Sequence, residues 1–157
     1  MLPVCSAFVR AVSSFETGTH PPVQQDGIMY HTTISIDVPD LGDAVRFYTE
    51  ALGLKIKREP TQSMAVLQTM NLDVYLLSKA GDTHPCNDME VHRRYSRHWT
   101  PVHLDFIVPD LRTALARAVA AGATHEGGDK GAWGEIAYCS DPFGNGFCLI
   151  RNESPAA

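Results

Sequence analysis

Apolar and polar residues alternate along Thr32-Thr33-Ile34-Ser35-Ile36-Asp37-Val38, which predicts a strand with one apolar face. A second alternation runs through His103-Leu104-Asp105-Phe106-Ile107-Val108. Each is followed by the same four residues, Val38-Pro39-Asp40-Leu41 in the first case and Val108-Pro109-Asp110-Leu111 in the second, so the chain contains an internal repeat. After each copy the apolar period lengthens to three and four residues. Leu41, Val45, Tyr48 and Leu52 form one stripe, and Leu111, Leu115, Ala118 and Val119 the other. These stripes predict two helices. Asp40 and Asp110 are placed to accept hydrogen bonds from the first-turn amides, and Gly53 and Gly122 mark the helix ends.

Each helix is followed by strand-like segments. They are KIKRE, SMAVLQT and LDVYLLS in the first copy, and THEGG, GEIAYCS and GFCLIRN in the second. The predicted fold class is therefore α+β, with two βαβββ modules forming a curved, mostly antiparallel sheet and helices on its outer face. The modules span about 29–78 and 101–152, joined by a connector at 79–100 within a domain covering 29–157. Residues 1–28 contain SSFETGTHPPVQQDGI and read as a flexible N-terminal appendage. They do not read as a secretory leader, because a basic start is missing and Arg10 interrupts the apolar stretch.

Composition narrows the function classes. With 13 basic against 18 acidic residues, the chain has no basic excess of the kind nucleic acids or anionic membranes attract. No apolar run approaches the ~20 residues of a membrane-spanning helix. The 44% hydrophobic content over 157 residues is enough for one core. Four cysteines without a leader read as reduced thiols in a cytoplasmic protein.

Strand alternation proposes which side chains line the face that the helices leave bare. Thr33, Ser35 and Asp37 belong to it in the first module, together with His31 one step earlier. His103, Asp105 and Ile107 belong to it in the second. Trp133, Glu135, Tyr75 and Cys148 are added from the later strands. Such a face is either simply wet, as in many antiparallel sheets, or a ligand cavity, for which the mixture of aromatic and polar groups argues. A turn centred between Phe143 and Gly144 would set Cys139 across from Cys148, where two thiols can bind metal, oxidise together or pack as small apolar groups. The connector carries His84, His92, Arg93, Arg94, Tyr95, Arg97, His98 and Trp99. It reads as a loop that closes over the cup and offers arginine to an acid, as a solvated linker, or as a dimer arm.

The segments VPDLGDAVRFYTEALGL and IAYCSDPFGNGFCLI, the latter with its Asp-Pro-x-Gly-Asn turn, resemble the strand-exit helix and closing hairpin of the vicinal oxygen chelate superfamily. That group includes glyoxalases, bleomycin-resistance proteins and extradiol dioxygenases. The resemblance covers roughly residues 30–152 and implies the paired βαβββ fold, often in a homodimer. It also implies a divalent metal held by two His or Glu side chains from each module. Carried over position by position, that set falls on Thr33 and near Tyr75 in the first module and on His103 and Cys148 in the second. Only His103 is a conventional ligand. A nonstandard site would draw on His103, His31 and Cys148, with Glu135 as a possible addition.

The resemblance therefore implies a bleomycin-resistance-type protein that holds a small organic molecule, with His31, Thr33, Tyr75, Asp105, Trp133 and Cys148 as contacts. The alternative is a metal-dependent lyase, isomerase or dioxygenase, in which His103 and Glu135 are catalytic and an apolar pocket raises the Glu135 pKa. A purely structural or protein-binding module is a third reading.

Overall fold

A computed structural model describes residues 32–86, 90–98 and 100–153, so the expected appendage, His31 and Trp99 lie outside the described residues. The order of elements is β1 (Thr33–Val38), α1 (Leu41–Glu50), β2 (Lys55–Arg58), β3 (Met64–Gln68), β4 (Asp73–Ser78), β5 (Leu104–Ile107), α2 (Leu111–Ala120), β6 (Thr124–Gly131), β7 (Gly134–Ser140) and β8 (Gly146–Asn152). Both modules are βαβββ, as the repeat implies. The strands form two four-stranded sheets, ordered β1-β4-β3-β2 and β5-β8-β7-β6. Each sheet is antiparallel except for its first pair, β1 with β4 and β5 with β8. That parallel pair follows from a helical crossover that carries the chain back across the sheet. No described helix is long and apolar enough to cross a membrane.

The helix starts follow from the two aspartates. Asp40 is extended, with φ −128° and ψ 121°, and its Oδ1 accepts from the Asp43 amide at 2.7 Å. Asp110 does the same for the Thr113 amide at 2.6 Å. Gly53 and Gly122 adopt φ of 71° and 110°, a region costly for side chains with a Cβ. In α1 the buried stripe is Ala44, Phe47, Tyr48 and Ala51, flanked by half-buried Leu41, Val45 and Leu52. In α2 it is Leu111, Ala114 and Ala118, whereas Val119, expected in the stripe, is 47% exposed. Val119 follows Ala118 by one residue, a turn of about 100° that carries it off the buried face.

The two modules share one core. Ile34, Ile36 and Val38 of the first meet Phe106, Phe147 and Leu149 of the second in the same apolar cluster. The Phe47 ring on α1 stands edge-on to Phe147 on β8, with centroids 6.3 Å apart. Polar links join the modules as well. The Arg117 guanidinium on α2 donates to the Ala51 carbonyl at the end of α1, at 2.9 Å. The Tyr48 hydroxyl donates to Asp141 Oδ2 at 2.8 Å.

Asp141 opens the turn between β7 and β8. Its Oδ1 accepts from the amides of Phe143 and Asn145 at 2.9 and 2.8 Å, and its Oδ2 from Asn145 Nδ2 at 2.9 Å. This anchoring centres the turn on Phe143, so Ser140 pairs with Gly146, Cys139 with Phe147 and Tyr138 with Cys148. The expected apposition of Cys139 and Cys148 is thereby corrected. A shift of one residue sends the two side chains to opposite faces of the sheet.

Burial, followed by the charge and hydrogen bond of Asp141, raises the Tyr48 pKa well above its ordinary 10.0. A raised folded-state value means that the stability contributed by neutral Tyr48 is fully present below about pH 10. It is lost as pH rises beyond that, because the unfolded phenol ionises first. Tyr48→Phe is expected to cost about 1–3 kcal/mol at neutral pH, since it strips one donor from a buried carboxylate. Urea midpoints measured between about pH 9 and 11 should then fall less steeply in the variant than in the parent.

Candidate functional site

Two features stand where the modules' first strands, β1 and β5, form the free edges of their sheets. One is a group of ligating side chains on the second module, and the other is a cavity roofed by the connector.

His103 immediately precedes β5, and Asp105 projects from the same face two residues on. The parallel register sets Asp105 beside Cys148 of β8. His103 Nε2 lies 3.2 Å from Asp105 Oδ1. The donor atoms of His103, Asp105 and Cys148 all lie within 4.8 Å of one another. Cys148 is buried while its two companions are exposed. An imidazole, a carboxylate and a thiol at this spacing suit a soft or borderline divalent ion and could supply three of its four tetrahedral positions.

The first module offers a different set. Register places Thr33 beside Asp73 and Ser35 beside Tyr75, so Thr33, Ser35, Asp73 and Tyr75 share one face. Asp73 is engaged by Lys57 Nζ at 2.5 Å. Thr33 and Tyr75 thus share a face, and His103, Asp105 and Cys148 are brought together.

Glu135 and Trp133 are not brought to this group. Glu135 pairs with Arg151 near the far end of β8, on the face of Ala137 and Leu149, opposite that of Cys148. Its Oε1 accepts from Arg151 Nη2 at 3.0 Å and from Lys130 Nζ at 3.1 Å. These cations, Arg151 first, hold its carboxyl below the usual carboxylate range. The expectation of a raised pKa is corrected, because Glu135 sits between two positive charges and not in an apolar pocket. Trp133 lies in the β6–β7 turn, where its carbonyl accepts from the Glu153 amide at 3.0 Å. Cys139, on the core face, has its thiol pushed up to about 11, first by burial and then by Glu126.

The connector is fastened to both modules. Arg93 Nε donates to Asp37 Oδ2 at 2.7 Å, and its Nη1 donates to the His84 carbonyl at 2.6 Å. The Tyr95 hydroxyl donates to the Lys79 carbonyl at 2.8 Å. Arg97 forms a two-pronged pair with Glu126, through Nε to Oε1 at 2.5 Å and Nη2 to Oε2 at 3.0 Å. This pairing raises the Arg97 pKa and lowers that of Glu126. Gly144 lets the connector approach the Asp141 turn. Its φ is 88°, and a Cβ there would lie 2.3 Å from the Ser96 carbonyl oxygen.

Under this roof is a cavity of about 670 Å³. Ile34, Ile36, Phe106 and Phe147 contribute apolar wall; Ser35, Asp37, Tyr48 and His103 contribute polar atoms; Arg93, Arg94, Tyr95 and His98 descend from the connector. His103 belongs both to the cavity and to the ligating group. Tyr48 and Phe106 escape a sequence reading because each sits in an apolar stripe, and only the joining of two modules turns them toward a cavity.

A glyoxalase-like domain model matches residues 33–150, most of the chain and both modules. The chain belongs to the glyoxalase-like domain family. Solved structures share the fold of this glyoxalase-like domain at low identity. A glyoxalase/bleomycin resistance protein from Albidiferax ferrireducens is 19% identical, with a TM-score of 0.57 over 78% of this chain and 98% of that one. A lactoylglutathione lyase from Agrobacterium tumefaciens is 17% identical, with a TM-score of 0.54 over 81% and 94%. An antibiotic binding protein from a Streptomyces species is 20% identical, with a TM-score of 0.57 over 82% and 100%. No curated protein matches this glyoxalase-like domain.

Arg93 is the connector's attachment to the first module, so Arg93→Ala is expected to speed proteolytic cleavage within residues 79–100. The Arg93 side chain is only 14% exposed and its loss leaves Asp37 without its cation, so the global stability loss is expected to be about 1–3 kcal/mol. Timed protease digestion alongside urea unfolding checks both halves of this expectation.

Proposed function

We propose that this glyoxalase-like domain binds a small organic molecule in the cavity beneath the connector and sequesters it, in the manner of a bleomycin-resistance-type protein. The observation that carries this reading is the cavity itself. Its volume of about 670 Å³ falls within the range of small-molecule sites, and apolar walls alternate with a few polar anchors. The antibiotic binding protein among the structural neighbours is consistent with such a role.

The donor set favours binding over metal chemistry. A four-ligand centre shared between modules needs ligands from both, and the matching first-module positions carry Thr33 and Tyr75. Glu135, committed to Arg151 and Lys130, is not a proton carrier in this reading. Glu135→Gln is expected to leave ligand affinity unchanged, as isothermal titration would record.

The second reading, a metal-dependent lyase, isomerase or dioxygenase, rests on the compact group of His103, Asp105 and Cys148. These residues would hold the ion, which would polarise a substrate oxygen as a Lewis acid. Metal analysis of the untagged full chain and of His103→Ala decides between the readings. Sequestration predicts no stoichiometric ion in either protein after incubation with zinc, manganese or iron(II). One equivalent in the parent, lost in the variant, would favour the enzyme.

A homodimer in the cytoplasm completes the proposal. Ile107 is 63% exposed on β5, which forms a sheet edge among the described residues, and offers an apolar surface that a second copy would cover. Sedimentation velocity should give a dimer for the parent and a shift toward monomer for Ile107→Lys.

A further inference from the structure

We infer that the ligand of the connector-roofed cavity is an amphipathic organic anion, with an apolar and preferably aromatic body carrying one acidic head. This rests on the proposed binding role and names its ligand class.

The charge around the cavity runs against that of the chain. Acidic residues outnumber Lys and Arg by 18 to 13 overall. Among the described lining residues, however, two arginines, Arg93 and Arg94, face a single acid, Asp37. That acid is already answered, because Arg93 Nε donates to it at 2.7 Å. The other nitrogens of Arg93 turn to Thr83 Oγ1 and to the carbonyls of His84 and Pro85. The Arg93–Asp37 pair is therefore closed on itself and fixes the roof. Arg94, which follows it in the chain and lines the cavity, has no hydrogen-bond or ion-pair partner among the described residues. It is the fixed cation available to a ligand.

The histidines add polar atoms to the lining and no fixed charge. His98 Nδ1 meets the Ser96 carbonyl at 2.8 Å, and His92 Nδ1 meets the Asp82 carbonyl at 2.6 Å. A nitrogen facing a carbonyl must carry the proton, which assigns Nδ1–H to both rings and leaves Nε2 as the remaining polar atom of each.

The opposite wall selects the body. Phe106 and Phe147 stand edge-to-face with centroids 6.0 Å apart, and Ile34 and Ile36 continue the apolar surface. A planar ring system can extend this aromatic packing. A polyanion would leave further charges against that wall without partners, which is costly, so one head is specified. The guanidinium fork suits a carboxylate or a phosphate equally.

The test uses matched probes on the full chain. Anilinonaphthalene sulfonate has an aromatic body with an anionic head, and N-phenylnaphthylamine has the same body without it. The sulfonate is expected to bind about tenfold more tightly, and Arg94→Gln to remove about that factor for the sulfonate alone, since a charge-assisted hydrogen bond is worth roughly one decade. Arg46→Gln, an exposed arginine on α1 engaged with Asp43, should change neither probe. Val102→Trp, a substitution at an exposed lining position, should weaken both. Displacement of the sulfonate by naphthoate or by naphthyl phosphate, with naphthol as the neutral control, tells which acid the site prefers. Equal binding of the two probes, both weakened by Val102→Trp, would overturn the anionic class and leave the cavity as the ligand site. Binding of neither probe, or binding indifferent to Val102→Trp, would overturn both claims.

Discussion

The Asp141 carboxylate is only 4% exposed, and each of its oxygens accepts two hydrogen bonds: Oδ1 from the amides of Phe143 and Asn145, and Oδ2 from the Asn145 side chain and Tyr48. Burying a carboxylate costs several kcal/mol, and only a convergence of donors of this kind offsets it. The consequences extend well beyond the turn. The backbone donors centre the β7–β8 turn on Phe143, which sets the hairpin register and sends Cys148 to the face of Asp105. Tyr48 ties the first module's helix to the second module's hairpin, where Phe47 and Phe147 already meet. Gly144, held within the same turn, receives the connector at Ser96. The register behind the ligating group, one polar tie between the modules and one seat of the cavity roof thus converge on a single buried carboxylate.

Much of this was legible in the sequence where local chemistry decides. The repeated Val-Pro-Asp-Leu motif, the aspartate caps and the glycine stops delimit both modules, because each acts within one helical turn. Alternation assigns the faces of β1 and β5 correctly, since Thr33 and Asp105 are exposed while Ile34 and Phe106 pack into the core. Readings that depend on pairing fare less well. An error of half a residue in the turn centre inverts the relation between Cys139 and Cys148, and with it the side of β7 on which Glu135 is expected. The fate of Glu135 is also nonlocal, because Arg151 reaches it only after β7 and β8 pair. The basic connector was legible, but the cavity beneath it is walled by Ile34, Ile36, Phe106 and Phe147 of the core-facing set, and Thr33, Tyr75, Asp105, Trp133 and Cys148 of the expected cup are not among its lining residues. Its actual lining combines the edges of β1 and β5 with Tyr48, which no single periodicity identifies.

The placement of the cavity follows from the topology. In each module the helical crossover brings the last strand beside the first, leaving β1 and β5 as sheet edges. The connector is tied to the first module by Arg93 on Asp37 of β1 and to the second by Arg97 on Glu126 of β6. A loop tied to both modules in this way roofs the space lined by residues of β1 and β5, and its own basic side chains line that space. His103 stands where this cavity meets the ligating group.

The most direct test of this account is to map where a ligand lands. Backbone amide shifts of the isotopically labelled full chain, recorded during titration with naphthoate, are predicted to move together at Ser35, Arg94, His98, His103 and Phe106. Those of Trp133 and Glu135 at the far hairpin should stay still. Shifts centred on that hairpin, or on Thr33 and Tyr75 without the connector, would contradict the claim that the roofed cavity is the binding site.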